Sequence, residues 1–220
     1  MLSTPKRPEI DNHTMKLIVG VITISLAYLT SQFAGSELAS ISASYYEGGW
    51  SRDIFVGFLY AISAFLLAYN GESRSEMILS KIAAIAALGV AMFPCRCDSH
   101  EEIIPQVHAV SAAIMFLVLA FFCYKFLQRA KAKGHAQAKA RMIVYSLCGL
   151  AIVVAMLVLL VDGLLGGPLG ERVPKLTFYG ERTALIAFGF SWLTASRFIP
   201  LLTRADERYS IIAGPPAHEG

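Results

Sequence analysis

Charged residues are scarce in this chain of 220 residues: Asp, Glu, Lys and Arg together make up 16%, against about 25% in an average soluble domain. Hydrophobic residues make up 55%, which is above the usual range of about 45–50%. This balance argues against a soluble enzyme, a disordered chain and a nucleic-acid-binding protein. The formal net charge is only +3, so the total charge indicates no strongly basic surface.

Long charged or Pro/Gly-rich linkers are also missing, which predicts a single domain. A transmembrane helix needs about 20 apolar residues, and flanking residues complete the shorter apolar runs of this chain. The six runs are Leu17–Ala34, Ile54–Tyr69, Ile82–Phe93, Val107–Leu127, Met142–Val161 and Thr183–Ile199. They predict an all-α polytopic membrane protein with a six-helix transmembrane bundle over residues 17–200. The Ala-rich third run is predicted to be a buried central helix, because small side chains let helices approach closely.

The basic residues divide unequally between the two predicted sides of the membrane. Fourteen of the 19 Lys and Arg residues fall on the side of the amino terminus, with 7 acidic residues; the other side has 5 basic and 9 acidic residues. Since cytoplasmic loops are rich in Lys and Arg, we predict that both termini are cytoplasmic, at the inner membrane of a bacterium if the source is bacterial. Residues 1–16 are then a cytoplasmic segment, and residues 201–220 a cytoplasmic tail predicted to be disordered. The basic loop Lys131–Arg141 anchors this topology, with anionic-lipid contact as a second role. A signal peptide cleaved near Gly35 is the alternative for the first run.

Polar residues collect at the outer ends of several predicted helices. Ionisable residues at such a boundary often face the bundle interior or a water-filled cavity, although capping of a helix end is the alternative for each residue alone. As a set they predict an outward-facing pocket that binds a lipid head group or a small polar ligand. Its candidate ligand-binding residues are His108, Glu181, Arg182, Asp53, Ser44 and Ser111. Arg182 is suited to grip a phosphate, or to pair with Asp53 or Asp162 instead.

Only four cysteines are present, and two of them, Cys95 and Cys97, lie in one predicted outer loop. In an oxidising compartment these two are predicted to form a disulfide, with each other or with a partner protein. Zinc bound by Cys95, Cys97 and His100 is a weaker alternative, because Cys-x-Cys lacks the spacing of a structural zinc site. No other cofactor is predicted.

A motif of serine hydrolases, the Gly-x-Ser-x-Gly elbow, is absent from the sequence. A membrane-embedded lipid hydrolase or transferase that uses His108 is still the alternative function, and the segment Ser40–Tyr46 offers serine hydroxyls near it. A proton- or cation-coupled transporter using Glu181 and Asp162 is the third. The predicted partners are membrane lipids. A homo-oligomer is left open as an alternative, and no nucleic-acid partner is predicted.

Several short motifs occur in a recognisable order. They are Ser-Ile-Ser-Ala-Ser-Tyr-Tyr at residues 40–46, Ala-Leu-Gly-Val-Ala-Met-Phe-Pro at residues 87–94, His108, and Gly180-Glu181-Arg182 followed by Trp192 and Arg197. In this order they resemble the bacterial six-helix membrane family called "domain of unknown function 998", kin to the DRAM and Sfk membrane proteins. The resemblance implies a six-helix bundle with a polar site on its outer face and no established reaction. It does not extend to the cysteine loop. Alkaline-ceramidase-like hydrolases are similar only in having Ser, Asp and His near one membrane face.

Overall fold

The computed structural model describes residues 11–97, 100, 104 and 106–209, and within these ranges the chain is helical without any strand. The predicted all-α class is therefore confirmed for the described part of the chain. Its α-helices are α1 Asn12–Gln32, α2 Ser44–Glu47, α3 Gly49–Ala68, α4 Arg74–Met92, α5 Val107–Lys133, α6 Ala136–Leu164, α7 Pro168–Arg172 and α8 Leu176–Ala195. Two 3₁₀ turns, Pro200–Leu202 and Ala205–Glu207, follow α8.

Within the described residues, five helices are long and apolar enough to cross a membrane: α1, α3, α4, α5 and α6. A helix of about 20 residues rises about 30 Å, which matches the hydrocarbon core of a bilayer. In α6 only 17% of the most apolar window is buried, and Leu147, Leu150 and Leu160 are exposed on its surface. Apolar surface of this kind needs lipid or a partner to cover it, so the chain is a multi-pass membrane protein. The remaining long helix, α8, carries Glu181 and Arg182 in its second turn and is not one of these five.

The six long helices form a closed ring. Each packs against the next along the chain, and α8 packs against both α6 and α1. The starts of α1, α4 and α6 and the ends of α3, α5 and α8 share one end of the bundle, which we call the amino-terminal face; the other end is the opposite face. An aromatic cluster fills the ring near the amino-terminal face, with centroids of contacting rings 5.2–6.2 Å apart. Its members are Tyr69, Phe122, Phe126, Phe188 and Trp192.

Two glycines allow α1 and α8 to approach closely. A Cβ atom added to Gly20 would lie 2.8 Å from the carbonyl oxygen of Gly189. A Cβ atom added to Gly189 would lie 2.9 Å from the carbonyl oxygen of Gly20 and 2.6 Å from a side-chain carbon of Ile24. Since the obstacle is backbone in both directions, a side chain at either position must separate the two helices.

The third apolar run is not the buried central helix that its alanines predicted. As α4 it packs mainly between α3 and α5. Its alanines do line the core, but Ile78, Ile82 and Ile85 are exposed on the far side. The isoleucines give α4 an outer apolar face, so it lies in the ring like its neighbours. Two helices have three long-helix neighbours among the described residues: α5, which contacts α4, α6 and α8, and α8, which contacts α1, α5 and α6.

The connection between α5 and α6 is much shorter than the predicted loop Lys131–Arg141. Only Gly134 and His135 lie between the two helices. Gly134 has a φ of 71°, a left-handed conformation that glycine adopts without steric cost at a helix end. The Nδ1 atom of His135 then accepts a hydrogen bond from the backbone N–H of Ala138 at 3.2 Å, which starts α6.

The chain beyond α8 is ordered at its beginning, although the whole of residues 201–220 was predicted to be a disordered tail. Tyr209 is buried, and its backbone N–H donates to the carbonyl oxygen of Arg197 at 3.2 Å. The Glu207 carboxylate accepts hydrogen bonds from Lys133 and Arg141. Residues 201–209 are therefore fixed to the amino-terminal face by side-chain contacts that hydropathy does not reveal. Residues 1–10 and 210–220 lie outside the described residues.

Candidate functional site

Three elements meet at the opposite face. The segment between α1 and α2 folds across the end of the bundle and reaches the first turns of α5 and α8. The backbone N–H of Phe178 donates to the carbonyl oxygen of Ala39 at 3.0 Å, which joins this segment to α8. His108 enters from the second position of α5 and Glu181 from the second turn of α8. The fold thus brings together two of the predicted site residues that are 73 positions apart in the chain.

The Glu181 carboxylate binds the segment from both of its oxygens. Its Oε2 atom accepts hydrogen bonds from the backbone N–H groups of Ile41 and Ser42 at 2.6 and 3.2 Å. Its Oε1 atom accepts one from the Ser42 hydroxyl at 2.9 Å. Three donors on one carboxylate offset much of the cost of removing it from water. Glu181 is therefore a partly buried anchor for the turn at residues 41–42.

His108 completes a chain of three side chains. Its Nδ1 atom lies 2.7 Å from the carbonyl oxygen of Phe93, at the end of α4, and its Nε2 atom lies 3.1 Å from the Ser42 hydroxyl oxygen. A carbonyl oxygen only accepts, so Nδ1 carries a hydrogen. The imidazole of this buried histidine is thus held from both sides, with Ser42 between it and Glu181.

Two proton arrangements satisfy this chain with the same number of protons. In one, a charged His108 donates to Ser42, and Ser42 donates to a Glu181 carboxylate. In the other, a protonated Glu181 donates to Ser42, and Ser42 donates to a neutral His108. The serine hydroxyl reverses its direction between the two. The site can therefore exchange an ion pair for a neutral chain without taking a proton from outside.

A small cavity of about 20 Å³ lies under this polar chain, with room for one or two water molecules. Ser42 and Glu181 are its only polar lining residues among the described part of the chain. The rest of the wall is apolar and comes from the interior faces of α1, α3, α4, α5 and α8, including Leu59, Met115 and Phe116. The cavity therefore has a polar end at the opposite face and an apolar body that points into the bundle.

The other predicted pocket residues lie elsewhere. Ser44 is buried and donates to the carbonyl oxygen of Ile41 within its own turn. Ser111 lies against α4, where its Oγ and Cβ atoms occupy the space that a side chain at Gly89 would need. The Asp53 carboxylate is 62% exposed and lies 3.5 Å from Arg52. None of these three reaches the cavity beneath Ser42.

Arg182 does not form the pairs predicted for it with Asp53 or Asp162. Its guanidinium lies over the ring of Tyr28 at 4.3 Å and near that of Phe178 at 5.6 Å, an arrangement in which the cation is attracted to the ring face. Asp162 instead accepts hydrogen bonds from the backbone N–H groups of Leu169 and Gly170. It caps the start of α7, as the capping alternative requires.

The cysteine loop docks on the same segment from the side of α4. Cys95 and Cys97 are joined to each other as a disulfide. The Tyr46 hydroxyl donates to the carbonyl oxygen of Cys95 at 2.8 Å, and the Tyr46 ring stacks on His100 with centroids 3.9 Å apart. Because both sulfurs are oxidised, the zinc alternative at Cys95, Cys97 and His100 loses its two thiolate ligands. Within the described ranges no three metal-ligating side chains come together; residues 98, 99 and 101–103 lie outside them.

Ser42 is the site residue that the sequence did not single out. The sequence has three serines at alternate positions, Ser40, Ser42 and Ser44, and the predicted pocket includes only Ser44. Their spacing of two would place all three on one side of an extended strand. The segment turns at residues 41–44 instead, so each serine faces a different way.

Comparisons of the chain with protein-family models, with curated proteins and with solved structures gave no match.

Proposed function

We propose that this multi-pass membrane protein has six spans, with α8 as the sixth and with both ends of the chain on the cytoplasmic side. The charges of +7 and −4 on the two predicted sides support this orientation, because Lys and Arg favour the cytoplasmic side. The packing of α8 between α1 and α6 supports the sixth span. A helix with half of its 20 residues buried exposes little surface to lipid and needs fewer apolar residues.

On this topology the site around Ser42 faces outward, and its proposed role is to bind an amphiphile: a lipid or lipid-like molecule with a hydrogen-bond donor on its head group. The observation that supports this role is the cavity, which is polar at the membrane boundary and apolar below it. A lipid of the outer leaflet has the same polarity along its length. Because a carboxylate only accepts hydrogen bonds, Glu181 favours a hydroxyl- or amine-bearing head group over a phosphate alone.

The experiment is native mass spectrometry of protein purified in mild detergent, with E181Q and D53N compared with the wild type. The two variants each remove one carboxylate from the opposite face, but only Glu181 lines the cavity. We expect an amphiphile on the wild type and on D53N, and at least a tenfold lower occupancy on E181Q, since a hydrogen bond to a charged group contributes about 1.5–3 kcal/mol. Equal occupancy in all three proteins would refute the proposed site.

A second candidate function, lipid hydrolysis, is favoured by one observation: the Ser42 hydroxyl lies 3.1 Å from Nε2 of His108, the distance of a nucleophile and its base. In a Ser-His-acid triad, however, the carboxylate orients the imidazole from its other nitrogen. Here the carbonyl of Phe93 has that place, and Glu181 bonds the serine itself, so it competes with His108 for the same proton. A fluorophosphonate probe separates the two functions. Labelling of Ser42 that is lost in H108A supports hydrolysis, and absence of labelling supports binding.

The resemblance to the family of unknown function 998, an inner-membrane location and association into a homo-oligomer belong to the same proposal. The closed ring of six long helices, with His108 and Glu181 at one end, agrees with what that resemblance implies.

A further inference from the structure

The amino-terminal face carries a second cluster of charged side chains, far from the site around Ser42. They line a cleft of about 40 Å³, which has room for roughly three water molecules. Five cations from four different helix ends surround it: Lys16, Arg129, Lys133, Arg141 and Arg197. Among the described residues Glu72 is the one acidic residue in the lining.

Two more carboxylates, Glu76 and Glu207, bind the cluster from its sides. Arg129 forms ion pairs with Glu72, at 2.9 Å, and with Glu76. Glu207 pairs with Lys133 and Arg141. Five cations thus face three carboxylates, which leaves an excess of two positive charges around the cleft.

The excess is concentrated on Lys16 and Arg197. The Lys16 side chain is 3% exposed, and its nearest carboxylate, Glu72, is 3.6 Å away and already bound by Arg129. The rings of Tyr69 and Phe126 lie 5.8 and 5.4 Å from its ammonium and offset only part of the cost of burial.

Arg197 is the other cation without a direct partner, although its charge also acts on the Glu207 carboxylate. Within the described ranges its guanidinium has no ion pair or hydrogen bond. Its backbone has a φ of 59°, and its carbonyl oxygen holds Tyr209 of the C-terminal segment. The guanidinium therefore lines the cleft with its donors available to a ligand.

We infer that this cleft binds a phosphate group. A phosphate supplies the missing negative charge, and its oxygens accept hydrogen bonds from several guanidinium and ammonium donors at once. The cleft lies at the end of the bundle that the proposed topology places at the cytoplasmic surface, where anionic phospholipids are abundant. The phosphate has two possible sources, the head group of such a lipid or a free phosphate compound. The inference does not depend on the site around Ser42.

The test compares R197Q with K131Q in full-length purified protein. Both variants remove one cation from the same face, but Lys131 is exposed and outside the cleft lining. Binding is measured by native mass spectrometry and by thermal stabilisation in two arms. The first adds inorganic phosphate to protein in a neutral detergent, and the second adds phosphatidylglycerol or phosphatidylcholine to protein in neutral nanodiscs.

The wild type and K131Q are expected to bind one phosphate-bearing ligand, and R197Q to bind it at least tenfold more weakly. Binding of phosphatidylglycerol without binding of inorganic phosphate identifies a head-group site. Binding of inorganic phosphate identifies a free-phosphate site. Equal weakening in R197Q and K131Q, or no preference of the wild type for any anion, overturns the inference.

A second readout keeps the test decisive if R197Q folds poorly. Because Arg197 has no direct partner and acts on Glu207 through charge alone, R197Q should change the thermal midpoint only slightly without ligand, and should abolish the stabilisation by anion. We expect the same two results, for the thermal midpoint and for the stabilisation by anion, from Lys16→Met, which removes the cation at the other end of the cleft. If the midpoints of both variants fall without ligand while their stabilisation by anion is retained, the two cations have a structural role only.

Discussion

Three similar serines on one short segment, Ser40, Ser42 and Ser44, have different roles. The Ser40 hydroxyl oxygen accepts from the backbone N–H of Ala43 at 2.9 Å within the turn, and it also lies within hydrogen-bond distance, 3.6 Å, of the Cys97 sulfur. Ser44 donates to the carbonyl oxygen of Ile41, which also accepts from the Ser44 backbone N–H. Ser42 alone of the three connects two other elements. At the residue scale, therefore, the site depends on a single hydroxyl group.

We predict that Ser42→Ala lowers the free energy of unfolding by about 1–3 kcal/mol, because it leaves Nε2 of His108 and one oxygen of Glu181 without a partner. Ser44→Ala is the matched control and should cost less than about 1 kcal/mol, since Ile41 keeps its backbone hydrogen bond. Thermal or denaturant unfolding in detergent measures both. Equal losses would mean that Ser42 is merely another turn serine.

His108 and Glu181 were predicted from the sequence because an ionisable residue in the first turns of an apolar helix is costly without a partner. Their common partner could not be predicted, because the direction of each serine depends on the turn geometry at residues 41–44. Asp53 and Arg182 meet the same sequence criterion. The Asp53 carboxylate is exposed to water beside Arg52. The Arg182 guanidinium is stabilised by the aromatic ring over which it lies. Position along a helix therefore selects candidates, but the rotation of each helix decides which of them meet.

At the scale of elements, the contact between α1 and α8 gives a direct test of the packing. Gly189→Ala should destabilise the protein by about 1–3 kcal/mol, because its Cβ atom would overlap Gly20 and Ile24. Gly57→Ala on α3 is the control. A Cβ atom there meets nothing within 4 Å, so alanine should stabilise that helix by about 0.5–1 kcal/mol. Unfolding midpoints that move in the same direction in both variants would contradict the close approach.

The C-terminal segment is held by a carboxylate whose protonation can be followed. Burial opposes ionisation of Glu207, but the hydrogen bond and charge of Lys133, with the charges of Arg197 and Arg141, outweigh it and lower the pKa to about 2. An unperturbed Glu has a pKa near 4.3. A lowered pKa means that this stabilisation is complete above about pH 4–5 and is lost as the pH falls toward 2.

We therefore predict that the wild type is more stable than E207Q at pH 7 and that the difference narrows steadily below about pH 4. Thermal midpoints measured from pH 7 to pH 3 provide the test. D206N is the control, because Asp206 is 63% exposed and its neighbour Arg204 is also exposed, so it should follow the wild type. A difference between the wild type and E207Q that is independent of pH would show that the carboxylate charge does not hold the segment.

At the scale of the whole molecule, the proposed topology places Lys175, before α8, outside the cell and Arg204, after α8, inside. Cysteines introduced at these two positions can be labelled with a membrane-impermeant maleimide. Lys175→Cys should react in intact cells and Arg204→Cys only after permeabilisation. The native Cys95 and Cys97 form a disulfide, and Cys123 and Cys148 are buried. Labelling of both introduced cysteines from the same side would show that α8 does not cross the membrane.

The sequence predicted the helical class because an apolar run of membrane length must pair its own backbone polar groups in lipid, and a helix does so within a single segment. Each of the six runs overlaps one long helix, although the helices extend beyond the runs into polar flanks, as α4 does from Ile82 back to Arg74. The ring order could not be predicted, since hydropathy does not report which faces meet. The order at the tail was missed for a similar reason. Polar contacts of Glu207 and Tyr209, and not apolar periodicity, hold that segment in place.

We propose that an amphiphile binds with its head group at Ser42 and Glu181, and that the cavity below them, which has room for one or two water molecules in this structure, widens to take the first part of its apolar chain. The most direct measurement is photo-crosslinking with a lipid that carries a diazirine on its acyl chain, followed by mass-spectrometric mapping of the modified residues. We expect labelling at Met115 and Phe116, which line the cavity, and loss of that labelling in E181Q but not in D53N. Labelling confined to exposed side chains such as Leu117 and Ile143, unchanged by E181Q, would contradict it.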